Sequence, residues 1–142
     1  MADSERHVVF RVEGSHYALP LASVREVVVT PELFTRVPRA PAAVRGVINL
    51  RGRVVTVVEL CAVLGVGEAS AKTGKLLLLD RGRRDLALGV SEVVGIEVLG
   101  ASTATAESTG LVRGVARRGA DAVSILDVEL LDARVAGLFR GR

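Results

Sequence analysis

The feature that most limits the architecture of this chain is an internal repeat. Gly46-Val47 returns as Gly114-Val115, Arg51-Gly52 as Arg118-Gly119, and Val55-Thr56-Val57-Val58-Glu59 as Val123-Ser124-Ile125-Leu126-Asp127, at a displacement of 67 to 68 residues. An earlier block, Ala18-Leu19-Pro20-Leu21 with Val24 and Val27, returns as Ala87-Leu88-Gly89-Val90 with Val93 and Ile96, displaced by 69. Two independent blocks at nearly one displacement, close to half of the 142 residues, point to two related halves. Each half has room for about five short strands, enough for a small closed barrel.

The local patterns agree with an all-β reading. Apolar and β-branched runs predict strands over 7–12, 17–19, 25–30, 46–50, 53–58, 75–80, 85–90, 93–99, 111–117 and 122–126. Turn residues separate them: Glu13-Gly14-Ser15, Arg51-Gly52 and Arg118-Gly119. Val37-Pro38-Arg39-Ala40-Pro41 is too rich in proline for a helix interior or a central strand, so it is a loop. Glu59 to Leu64 predicts a short helix ended by Gly65, and residues 65–74 form the one clear linker. Ala101 to Gly110 is a polar surface loop. From Asp127, Val128, Leu131, Val135 and Leu138 recur at helical spacing, with Asp127 as N-cap and Arg134, Arg140 and Arg142 toward the end that favours cations. The expected division is a first barrel over 8–66, a second over 75–131 with exchange of strands allowed, and a C-terminal helix over 127–140.

Composition excludes several classes of function. The chain is 49% hydrophobic and 25% charged, which suits a folded core, and its 3% aromatic content without Trp leaves that core to Val, Leu, Ile and Ala. One Cys and two His cannot assemble a Cys/His zinc site or an intrachain disulfide, and no metal or other cofactor is expected. No apolar run approaches the ~20 residues of a membrane span, and the start at Asp3, Ser4 and Glu5 does not resemble a signal peptide, so a cytoplasmic protein without membrane insertion is expected. The net charge of +3 is carried almost wholly by arginine, since the lysines are Lys72 and Lys75.

Candidate chemistry is sparse. His7 and His16 are the available bases for a Ser-His or Cys-His site, and their places near the start and at a turn predict solvated side chains. Cys61 lies in an apolar stretch and reads as a small buried residue. Gly65-Val66-Gly67 lacks a third glycine at Ser70, and Gly74-Lys75 is followed by Leu76 where a phosphate loop needs Ser or Thr. No catalytic residue and no small-molecule substrate are therefore expected. Arginines cluster at Arg81, Arg83 and Arg84, at Arg113, Arg117 and Arg118, and at Arg140 and Arg142, a pattern able to meet phosphates. Phe10, Tyr17, Phe34 and Phe139 do not interleave with them, and Asp80, Asp85 and Asp121 dilute them, so an Arg-rich nucleic-acid-binding barrel is the alternative of another class. The sharpest segment is Val44 to Val54, where Gly46 and Gly52 bracket an apolar strand carrying Asn49 and Arg51, polar residues that a core does not require.

At this segment the sequence resembles the CheW family, the coupling proteins of bacterial chemotaxis-type arrays. The resemblance runs from Val8 to Leu131 through Phe10, Tyr17-Ala18-Leu19-Pro20-Leu21, Val24-Arg25-Glu26-Val27, Val37-Pro38-Arg39-Ala40-Pro41 and Gly46-Val47-Ile48-Asn49-Leu50-Arg51-Gly52. Val57-Val58-Glu59-Leu60, Leu64-Gly65, Val93-Val94, Gly114-Val115-Ala116 and Ile125-Leu126-Asp127-Val128 continue it. It implies two five-stranded SH3-like barrels and a non-enzymatic adaptor between the cytoplasmic tip of a chemoreceptor and the regulatory domain of a CheA-type histidine kinase. It also implies a receptor-facing groove of Val24, Glu26, Val27, Gly46, Asn49 and Arg51, in which Glu26 and Arg51 meet. Ser91 stands where the family often has Asp, and Ala101 to Thr109 lacks the prolines usual there. Both departures fall in the half that the resemblance links to the kinase, so an adaptor that binds receptor but not kinase is the variant of this reading.

Overall fold

A computed structural model describes residues 5–32, 34–67, 74–79, 85–100 and 110–140, with the backbone alone for 139 and 140. Among them, ten strands and two α-helices follow in the order β1 (Arg6–Val12), β2 (Ser15–Pro20), β3 (Val24–Val29), β4 (Val44–Leu50), β5 (Arg53–Glu59), α1 (Leu60–Leu64), β6 (Lys75–Leu79), β7 (Leu86–Val90), β8 (Glu92–Val98), β9 (Val112–Arg118), β10 (Asp121–Leu126) and α2 (Val128–Arg140), with a single 3-10 turn at Leu21–Ser23 between β2 and β3. They form two five-stranded sheets, ordered β3-β6-β7-β5-β4 and β8-β1-β2-β10-β9. These are the first and second barrels.

The repeat is written into this topology. Replacing each strand by its counterpart five places along turns one sheet order into the other. The registers follow: Val57 lies opposite Ala87 in the parallel β5–β7 pair, and Ile125 opposite Ala18 in the parallel β10–β2 pair. Even the irregularities repeat. A bulge falls between Val44 and Gly46 and again between Val112 and Gly114, and the β3–β6 and β8–β1 pairs each skip one residue at matching places. Neither sheet coincides with residues 8–66 or 75–131. Each barrel draws strands from both segments.

That exchange explains why the central strands read as nearly unbroken apolar runs. In β6 and β7, Leu76, Leu78 and Ala87 line the first barrel with Ile48, Val55 and Val57. The alternate residues Leu77, Leu79, Leu86, Leu88 and Val90 join Val8, Phe10, Val12 and Leu19 in a core shared by both barrels. Val9, Ala18, Ala116, Val123 and Ile125 fill the second barrel. Each fully buried Leu or Val contributes roughly 1.5–3 kcal/mol, and the shared core fixes one barrel against the other. Helix α1 ends on Gly65 in the left-handed region, and Asp127 caps α2 by accepting the Leu130 N–H at 3.0 Å. Leu131 and Val135 seat α2 on the shared core. No helix among the described residues is long and apolar enough to cross a membrane.

One expectation is corrected here. His7 is not solvated but 5% exposed; its Nε2 makes no hydrogen bond and lies 3.9 Å from Glu5 Oε1, while Nδ1 faces the Glu5 carbonyl at 3.2 Å. Strand alternation with Val9 turns it inward, at the place where the first barrel has Leu76. The arginines at 81, 83 and 84, Asp80, the linker residues 68–73, the loop residues 101–109 and Arg142 lie outside the described residues.

Candidate functional site

The β4–β5 hairpin closes between Leu50 and Arg53 with Arg51 and Gly52 as its loop. Both loop residues have positive φ, +52° and +87°, which matches the right-handed twist of the strands they join. Gly52 adopts this freely; a non-glycine residue there does so at a cost. Asn49 compensates locally, because its Oδ1 accepts the Gly52 N–H at 2.9 Å. The side chain of Arg51 then reaches across to β3, where Nη2 donates to Glu26 Oε1 at 2.5 Å. This ion pair joins the two edge strands of the first barrel. The hydrogen bond and the negative charge of Glu26 hold the guanidinium pKa above its ordinary value, so Arg51 stays charged. Its side chain is still 66% exposed, leaving donors free for a partner.

The six residues of the expected groove do not form one surface. Glu26, Asn49 and Arg51 gather at the hairpin loop, whereas Val27 points to the other face of β3 and is exposed. Val24 is half-buried against the shared core. Gly46 is buried under the loop before β4: a Cβ there would lie 2.6 Å from the Thr35 carbonyl oxygen and 3.3 Å from Phe34 Cβ. Thr35 is itself held by paired backbone hydrogen bonds to Val47, at 2.9 and 2.8 Å.

Two further features of the site escape the linear sequence. Arg53 pairs with Asp85, and with Arg25, Glu26, Leu50, Arg51, Val55 and Leu78 they line a cavity of about 190 Å³ at the barrel mouth. Asp85 reaches Arg53 through the parallel β5–β7 pairing, a contact without a local signal; in the sequence it stands only as a flank of the arginine cluster. The second is Arg45, whose Nη1 lies 3.0 Å from Oε1 of Glu59, a residue 2% exposed, and whose guanidinium sits 4.7 Å above the Phe34 ring. Arg45→Met keeps the aliphatic stem but strips this cation from a buried carboxylate. A loss of about 2 kcal/mol in urea unfolding is expected; a loss below about 0.5 kcal/mol would mean that the other contacts of Glu59 suffice.

Catalytic and metal chemistry find little support. Cys61 is buried, and burial, followed by the charges of Glu59 and Glu13, pushes its thiol above the ordinary range, which disfavours a thiolate. Lys75 opens strand β6 and not a helix, so Gly74-Lys75 makes no phosphate loop. Among the described residues, no three His, Cys, Asp or Glu side chains converge as metal donors.

Comparison with known proteins identifies the family. The sequence model described as the CheW-like domain matches residues 6–135. The chain is 35% identical over 78 residues to the probable chemotaxis protein CheW of Rhizobium etli, covering 54% of this chain and 49% of the relative. It is 32% identical over 89 residues to protein PilI of Pseudomonas aeruginosa, covering 62% and 49%. The matches thus span about half the length of these curated relatives. The crystal structure of the scaffolding protein TtCheW from Thermoanaerobacter tengcongensis superposes with a TM-score of 0.75 at 24% identity, over 90% of this chain and 87% of that one, which establishes a common fold. With the family's sequence model matched over residues 6–135, the chain belongs to the CheW-like domain family.

Proposed function

We propose that this protein is a cytoplasmic adaptor that couples chemoreceptors to a CheA-type histidine kinase within a chemosensory array. The receptor's helical tip docks on the first barrel at the Glu26–Arg51 pair, with Asn49 beside it and Val24 and Gly46 shaping the strands beneath; Val27, on the other face of β3, meets the tip only where it wraps the edge of that strand. The observation that carries this reading is Arg51. It occupies a left-handed turn position that a glycine or asparagine would fill more easily, yet it is pinned by Glu26 and mostly exposed. A strained, anchored and accessible guanidinium serves recognition better than it serves folding.

The shared core supplies the mechanism. Because both barrels are packed into one apolar body, the adaptor holds its partners at fixed geometry. A change in the receptor then biases the kinase through the difference in binding between its states. Co-sedimentation with a receptor-tip fragment, with and without the kinase regulatory domain, tests this. A ternary complex is expected. Binding of the receptor alone would reduce the role to an adaptor without its kinase contact, and binding of neither would overturn the proposal.

A further inference from the structure

The repeat allows the two hairpins to be compared residue by residue. At the displacement of 68, Arg45 corresponds to Arg113, Glu59 to Asp127 and Asn49 to Arg117. In the first barrel Glu59 is turned onto Arg45. In the second, the carboxylate is one methylene shorter and serves the helix instead: Asp127 Oδ1 accepts the Leu130 N–H at 3.0 Å, and its backbone carbonyl accepts the Leu131 N–H at 2.9 Å. Arg113 is thereby left exposed and, among the described residues, without a counter-charge. Arg117, exposed and likewise unpaired, stands where the first barrel has neutral Asn49. Among the described residues, the outward positions of β9 and β10, Arg113, Val115, Arg117, Ala122 and Ser124, thus hold two unpaired cations and no carboxylate, the exposed Asp121 standing at the start of β10 opposite Arg118.

An apolar strip lies on the strand to which β9 is tied. Arg118 Nε donates to Glu97 Oε2 at 2.6 Å and sews edge strand β9 to edge strand β8. The residues flanking Glu97 on its outward side are Ile96 and Val98, 58% and 55% exposed. One lip of this seam is apolar and the other cationic. Isolated charged loops need no such explanation, but a cation released by a change of carboxylate and set beside exposed aliphatic residues does.

From this juxtaposition we infer that the outer face of the β9–β10 hairpin, with Ile96 and Val98, docks an acidic amphipathic segment of a protein partner. Arg113 and Arg117 are about 13 Å apart along the strand and would meet carboxylates at that spacing, while the aliphatic lip receives apolar side chains. Nucleic acid fits less well, since Phe10 and Tyr17 are buried and Phe34 lies beneath Arg45, leaving no stacking platform on this face among the described side chains. The inference goes beyond the receptor reading and stands without it.

The test uses the full chain and a labelled helical peptide with a glutamate stripe beside a leucine stripe, titrated by fluorescence anisotropy at low salt. Saturable binding is expected, weakened at least about tenfold in an Arg113→Ser, Arg117→Ser double variant and for the peptide with glutamine in place of glutamate. Arg36→Ser, which removes an exposed arginine of the first barrel, gauges the effect of a positive charge lost elsewhere and is expected to leave the affinity unchanged. Circular dichroism of each variant confirms that the fold is kept. Absence of saturable binding, equal affinity for the double variant, equal affinity for the glutamine peptide, or an equal loss in Arg36→Ser would each overturn the inference. So would a duplex oligonucleotide that binds more tightly than the peptide and loses affinity in the same double variant.

Discussion

Gly46→Ala is expected to lower the unfolding free energy by about 3 kcal/mol, a large fraction of what a domain of this size has to lose. Two costs combine. The backbone at Gly46 has φ +148°, a conformation that side chains rarely adopt, and the new Cβ would lie 2.6 Å from the Thr35 carbonyl oxygen. That oxygen belongs to the backbone and accepts the Val47 N–H at 2.8 Å, so it cannot retreat without breaking the bridge that covers edge strand β4. Gly52→Ala is the reference. Its φ is +87° but nothing lies within 4 Å of the added carbon, so only the left-handed penalty of about 1 kcal/mol applies. Urea unfolding of the two variants separates the terms. Equal losses would show that the close approach of Phe34 and Thr35 contributes nothing.

How much of this was visible beforehand differs between fold and site. The strands, the short helix ended by Gly65 and the cap at Asp127 follow from local chemistry, and the repeat foretold two sheets of one design. What local patterns do not carry is the pairing that draws each barrel from both segments, because parallel neighbours such as β5 and β7 are far apart in the chain. Everything that depends on that pairing was hidden with it, including the Arg53–Asp85 pair. His7 shows a signal present but unread: its place near the start of the chain suggested solvent, although the repeat aligns it with Leu76 inside a barrel. The meeting of Glu26 and Arg51 was expected from family resemblance and not from spacing, since no rule of sequence brings together residues 25 positions apart on different strands. Asn49 was legible as polar and exposed, but its bond to the Gly52 N–H required the turn geometry.

Substitutions at Arg51 should separate folding from docking, because the turn and the partner ask for different residues there. Asparagine tolerates the left-handed conformation better than arginine, so Arg51→Asn is expected to unfold at an equal or higher temperature than the parent. It removes every guanidinium donor, and its affinity for the receptor-tip fragment is expected to fall roughly tenfold. Arg51→Glu places a carboxylate against Glu26 and reverses the charge offered to the partner, for which a loss of roughly a hundredfold is expected. Calorimetry of the free protein and titration of the receptor tip give the two readouts. If Arg51→Asn is stabilised and still binds as the parent does, Arg51 belongs to the turn alone and docking must be sought elsewhere. The paired exchange Glu26→Arg, Arg51→Glu goes one step further. It can restore an ion pair across the barrel edges, but it presents an anion where the parent presents exposed guanidinium donors. Stability should therefore recover while affinity does not. Recovery of both would mean that the pair acts only by holding β3 against the hairpin, and that the receptor reads the shape of the edge and not its charge.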